Sequence, residues 1–219
     1  MRLQSAIFDL DGTLLDTASF WEQLCRDLLK QYGADPEPGV GALVSAMSPK
    51  EGAAYCKAHY HLTASLEEIL GAVSTAAADF YCHRAQAKPG LDKALSLLKM
   101  EGVWMYVATS TDRRLAEAAL RCAGIDGYFR GLITCADVGA SKEDSPAVYE
   151  SAMRRLQSNK RDTVIFEDSL TAIRTAKAAG FRVAGVYNPA AEADQAAIQA
   201  EADYYLRSFE EMFDATALG

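Results

Sequence analysis

Apolar residues run unbroken through Ala6-Ile7-Phe8, then give way to Asp9 and Asp11, with Gly12-Thr13 directly behind. A run of this kind bounded by a turn signal predicts a strand buried on both faces, over residues 4 to 9. The rhythm then changes. From Thr17 to about Gln86 apolar positions recur every three or four residues, as in Phe20, Leu24 and Leu28 beside Trp21, Cys25 and Leu29. The same period returns in Leu66, Ile69, Leu70, Val73, Ala77, Phe80 and Tyr81. That spacing predicts helices and no strand. Breakers at Pro36-Glu37-Pro38-Gly39 and Met47-Ser48-Pro49 divide the helices, and Thr63 or Ser65 ahead of Glu67 and Glu68 reads as an N-terminal cap.

Beyond Lys88-Pro89-Gly90, strands and helices alternate. A helix through Leu91, Ala94, Leu95 and Leu98 leads to the apolar run Val103–Ala108, which ends in Thr109-Ser110-Thr111-Asp112. A helix from Arg113 to Ala123 closes at Gly124, and Gly131–Cys135 is a short strand. A helix from Ala147 to Leu156 precedes the strand Thr163–Phe166, which ends at Glu167-Asp168-Ser169. A helix from Leu170 to Ala179 stops at Gly180, Phe181–Val186 is a strand, and Tyr204–Leu206 is a last edge strand. Short connections between alternating elements imply right-handed βαβ units. The expected fold is α/β: a doubly wound, Rossmann-like parallel sheet formed by residues 1–16 and 87–219, with an all-helical insertion at 17–86.

Composition narrows the function. Half of the 219 residues are apolar and 24% charged, enough for a real core. A net charge of −8 argues against nucleic acid as a partner, which needs a basic stripe. Five scattered cysteines without C-x-x-C spacing suit reduced thiols. No stretch approaches the roughly 20 apolar residues of a membrane span, and the N-terminus reads as no signal peptide. These features suggest a cytoplasmic location, no membrane partner, and a chain compatible with a monomer.

The chemistry lies at the strand ends. Asp9 and Asp11 follow the first strand, Thr109 the second, Lys142 the loop after the third, and Glu167 with Asp168 the fourth. In a parallel sheet these ends share one rim, so the groups converge. Several carboxylates suit Mg²⁺, a hard cation that takes oxygen ligands. A hydroxyl at a strand-to-helix junction offers an anion site, and a lysine adds a point charge. Phosphoryl transfer needs this kit, since it depends chiefly on positioning and charge stabilisation.

Asp9-x-Asp11-Gly12-Thr13, Thr109, Lys142 and Glu167-Asp168-Ser169, in this order, resemble the four motifs of the haloacid dehalogenase superfamily. The likeness covers the whole chain. With Ala176, Ala179 and Gly180 it is similar to the subfamily with an early helical cap, which holds β-phosphoglucomutases, phosphoglycolate phosphatases and sugar-phosphate or nucleotide phosphatases. The resemblance implies that Asp9 is the nucleophile, forming an aspartyl phosphate, and that Asp11 serves as acid, then base. It implies that Thr109 binds the transferring phosphate and that Lys142 stabilises charge. Mg²⁺ would be held by Asp9, the Asp11 carbonyl and Asp168, with Glu167 as a further ligand or as an acid just behind the ligands. The substrate would be a small phosphorylated metabolite, with residues 17–86 as the cap.

The sequence also departs from the family. The usual Gly-Lys-Pro-x-Pro is replaced by Ala140-Ser141-Lys142-Glu143-Asp144-Ser145-Pro146, which leaves Lys160 as a conceivable substitute for Lys142. The glycine usual after the family's fourth-motif serine is replaced by Thr171-Ala172-Ile173. Dehalogenases lack the second aspartate, so Asp11 favours an oxyanion leaving group. The mutase pattern carries a histidine where Phe20 and Trp21 stand, and an indole cannot gate a proton, which favours hydrolysis over mutase activity. A mutase and a non-catalytic binding protein remain the alternatives. Ser110, Trp21 and Lys50 are candidates for substrate contact. A helix-packing role for Phe20 and Trp21 and a solvated Lys50 are the competing readings.

Overall fold

The computed structural model describes residues 3–45, 47 and 49–213; Ser48 of the Met47–Glu51 stretch lies outside them. The first strand is β1 (Ser5–Phe8). Four helices follow: α1 (Ala18–Gln31), α2 (Val40–Ser45), α3 (Pro49–His59) and α4 (Leu66–His83). Then come α5 (Leu91–Met100), β2 (Trp104–Thr109), α6 (Arg113–Cys122), β3 (Leu132–Thr134), α7 (Cys135–Val138) and α8 (Ala147–Arg155). The chain ends through β4 (Thr163–Glu167), α9 (Leu170–Ala178), β5 (Arg182–Val186), α10 (Gln195–Glu201) and β6 (Tyr204–Leu206).

The six strands form one parallel sheet in the order β3-β2-β1-β4-β5-β6. β1 is central: Ser5 pairs with Trp104 on one side and Thr163 on the other, and Phe8 with Val107 and Phe166. Alternation along these strands feeds two apolar layers. Ala6, Phe8, Val107 and Phe166 join α5 and α6 on one face; Ile7, Ala108, Ile165 and Val183 join α8, α9 and α10 on the other. Phe8 stacks on Phe166 with ring centroids 4.3 Å apart. Full burial of each such side chain contributes roughly 1.5–3 kcal/mol, so the centre of the sheet is its firmest part.

The helices α1 to α4 carry a core of their own, built on Cys25, Leu29, Val40, Ala53, Cys56, Leu62 and Ile69. Ser65 caps α4 reciprocally: its Oγ accepts from the Glu68 amide at 3.2 Å, and Glu68 accepts from the Ser65 amide at 2.7 Å. The base of α4 reaches the sheet layer through Ala77, Phe80 and Tyr81, and α4 also lies against α6.

Two helices go beyond the pattern in the sequence. The one-turn α7 forms because Thr134 and Asp137 cap each other across its first turn. The α10 helix buries only Gln195 and Ile198, too few apolar positions to show a period.

Candidate active site

Each group at the rim is placed by a local backbone decision. Asp9 is the first residue past β1, and its amide donates to the Phe166 carbonyl at 3.0 Å, which extends the ladder to β4 by one bond. Gly12 then turns the chain with φ +78°. A Cβ there would collide with the Asp168 carboxylate and the Asn188 amide, so the turn needs glycine both for its conformation and for space. Thr109 ends β2, and its hydroxyl accepts from the Thr111 amide at 3.1 Å. It is not the cap of α6; that position belongs to Asp112, whose carboxylate accepts from the Arg114 amide.

Lys142 sits in the turn between α7 and α8, buried, at the centre of the site. Its Nζ lies 2.7 Å from Asp9 Oδ1 and 2.5 Å from Glu167 Oε1. Lys160 is elsewhere, donating to Glu150 and to the Ala179 carbonyl. Burial works against the Lys142 ammonium, but Asp9 and Glu167 outweigh it and hold its pKa well above the usual lysine value. Glu167 is saturated with donors. Oε1 also accepts from Tyr149 at 3.0 Å, and Oε2 accepts from the Asp168 and Ser169 amides at 2.8 and 2.9 Å. Burial and the Glu167 charge keep Tyr149 a neutral phenol.

Asp168 accepts from Thr13 at 2.8 Å on one oxygen and from Asn188 at 2.7 Å on the other. Asp9, Glu167 and Asp168 each present a carboxylate oxygen within 4.8 Å of the others. Burial, then the neighbouring carboxylates, push the pKa of Asp9 and Asp168 upward against the pull of Lys142. Three buried carboxylates facing one ammonium leave an excess of negative charge, which oxygen-seeking divalent cations relieve. The donor set therefore fits Mg²⁺.

Asp11 turns away from that cluster, toward the helices. Its Oδ1 accepts from Tyr81 of α4 at 2.6 Å, and its Oδ2 from Thr111 at 2.5 Å. Trp21 packs edge-on to Tyr81, with centroids 6.4 Å apart, while Phe20 stacks on Phe80 at 4.0 Å. Trp21 and Ser110 line a cavity beside Asp11; Phe20 and Lys50 do not, and Lys50 is exposed. Sequence reasoning missed Thr13, Tyr81, Thr111, Tyr149 and Asn188 as partners of the carboxylates. Thr13 and Thr111 were within reach, since both neighbour residues already singled out.

An acidic pocket with a buried ammonium at the C-terminal rim of a parallel sheet defines an α/β enzyme of phosphate-ester chemistry. Residues 6–186 match the family of haloacid dehalogenase-like hydrolases, and the chain belongs to it. It is 28% identical over 185 residues to a phosphorylated carbohydrates phosphatase of Thermotoga maritima, covering 84% of this chain and 85% of that one. It is 30% identical over 207 residues to the validoxylamine A 7'-phosphate phosphatase of Streptomyces hygroscopicus subsp. limoneus, covering 94% of each. The fold superposes on CbbY from Rhodobacter sphaeroides in complex with phosphate with a TM-score of 0.79, over 96% of each chain at 24% identity. With phosphatases among its relatives in this family, the chain is a phosphoric monoester hydrolase.

Proposed function

We propose that the enzyme is a Mg²⁺-dependent phosphatase of small phosphomonoesters that works through an aspartyl phosphate on Asp9, beneath a cap formed by residues 17–86. The observation that carries this reading is the Asp9–Lys142–Glu167 contact set, in which an attacking carboxylate is held by a buried ammonium. Lys142 engages Oδ1 of Asp9, and the attack is assigned to the other carboxylate oxygen, Oδ2. That oxygen is the nucleophile: it bonds to phosphorus as the ester oxygen departs. Asp11 gives its proton to that oxygen, then takes one from the water that cleaves the acyl phosphate. Tyr81 and Thr111 fix the carboxylate of Asp11 for both tasks. The Thr109 hydroxyl, at the end of β2 and just ahead of the Asp112 cap of α6, orients the phosphoryl oxygens. Glu167 holds Lys142 in place as a positioning residue.

Mg²⁺ would be held by Asp9 and Asp168, with the Asp11 carbonyl, and would supply charge neutralisation of the phosphoryl group. The test is phosphate release from a panel of phosphomonoesters, with and without Mg²⁺. Asp9→Asn is expected to lower kcat by about three orders of magnitude or more, and acid-quenched wild-type protein to carry phosphate on Asp9. Undiminished turnover by Asp9→Asn would overturn the nucleophile assignment. Metal-independent turnover would overturn the role of Mg²⁺.

A further inference from the structure

A cavity of about 490 Å³ opens at Asp11, Ser110 and Thr111 and runs into the interior of the helices α1 to α4. Its size is that of a small-molecule pocket. Its walls are carbon and sulfur: Trp21, Leu28, Leu70, Val73, Cys25 and Cys56 are representative. Among the described residues no lysine, arginine or histidine lines it, so it holds no cation for a second phosphate or a carboxylate. Its polar groups are the minority: Asp11, Ser74, Ser110 and Asp112, beside four hydroxyls whose protons are already donated elsewhere. Tyr81 and Thr111 donate to Asp11, Ser45 donates to the Ala42 carbonyl at 2.9 Å, and Tyr32 donates toward the Glu68 carbonyl.

A polyhydroxylated alcohol seated here would press most of its hydroxyls against carbon, and each one left without a partner weakens binding by about tenfold. An aliphatic chain would instead gain at every methylene. Resting on the phosphatase reading above, we propose that the cavity receives the leaving alcohol and that this alcohol is uncharged and apolar. The preferred substrates are thus monoesters of aliphatic alcohols. Asp11 stands at the mouth, where the oxygen between phosphorus and the buried chain takes its proton.

The test is kcat/KM for ethyl, butyl and hexyl phosphate and for glucose 6-phosphate, with Mg²⁺. Equilibrium binding of ethyl- and hexylphosphonate is measured in parallel. Expected is a rise of about fourfold per methylene, with hexyl phosphate well above glucose 6-phosphate. Val73→Trp, which fills the cavity, is expected to cut the hexyl-to-ethyl ratio by about tenfold or more. Leu28→Gln, which places an amide in the wall, should cut it as well. Because a ratio is read, a loss of folded protein does not mimic the effect. Turnover with no dependence on chain length, or with glucose 6-phosphate preferred, overturns the inference and leaves the phosphatase reading intact. Hexylphosphonate binding no tighter than ethylphosphonate overturns it as well. Tighter hexylphosphonate binding with no ester turned over sinks the phosphatase reading and leaves the apolar site standing.

Discussion

At the residue scale the site is a set of carboxylates, each told apart by its donors. Glu167 accepts four hydrogen bonds and anchors Lys142, Asp168 accepts two from neutral side chains, and Asp11 faces two hydroxyls. The positions of Asp9, Asp11, Glu167 and Asp168 were legible because each follows an apolar run that reads as a strand. Lys142 was legible in spite of its displaced proline, since its loop still leads from β3 to α8. Asn188 was not. It is 20 residues from Asp168, in a segment with no periodic pattern, and only the fold brings its amide to 2.7 Å. Removing such a buttress leaves one carboxylate oxygen poorly held, which in metal sites costs 10–100-fold in affinity. Asn188→Ala is therefore expected to raise the Mg²⁺ concentration for half-maximal phosphate release by about tenfold or more. An unchanged Mg²⁺ titration would show that Asn188 does not support the metal site.

At the element scale α4 matters most, because it ties the helical segment to the rim. Spacing announced its cap as Thr63 or Ser65 ahead of Glu67 and Glu68, and the structure resolves it to Ser65 with Glu68. Its far end was readable only as an apolar stripe, since nothing in a period reveals that the Tyr81 hydroxyl escapes the stripe and meets Asp11. Burial and the Asp11 charge keep Tyr81 protonated, so it remains a donor across the working pH range. A hydrogen bond to a charged partner contributes about 1.5–3 kcal/mol. Tyr81→Phe retains the ring packing against Trp21 and is expected to lower kcat by about tenfold. If kcat is retained, the contact serves packing alone. The helices that escaped sequence reading, α7 and α10, are short: α7 rests on the cap between Thr134 and Asp137, and α10 packs against α9 and β6.

At the scale of the whole molecule, alternation revealed a parallel sheet, but strand order was not legible, because any order with right-handed crossovers satisfies the same pattern. The order matters: placing β1 between β2 and β4 is what sets Asp9 between Lys142 and Asp168. Packing this much like charge at the middle of the sheet means that a bound cation stabilises the entire fold. Mg²⁺ at a hundred times its dissociation constant contributes about 2.7 kcal/mol, a rise in Tm of about 5–10 °C. Asp168→Asn is expected to abolish that response in a thermal melt; a response of undiminished size would place the ion elsewhere. The central position of β1 also bears on biosynthesis. Ser5 is translated 158 residues before its second neighbour, Thr163. At about 5–20 residues per second the apolar Ala6-Ile7-Phe8 segment therefore waits roughly 8–30 s for its full complement of partners. A nascent chain of this design spends its youth with its stickiest peptide unpaired, and protection by chaperones falls due before the enzyme has a pocket to protect.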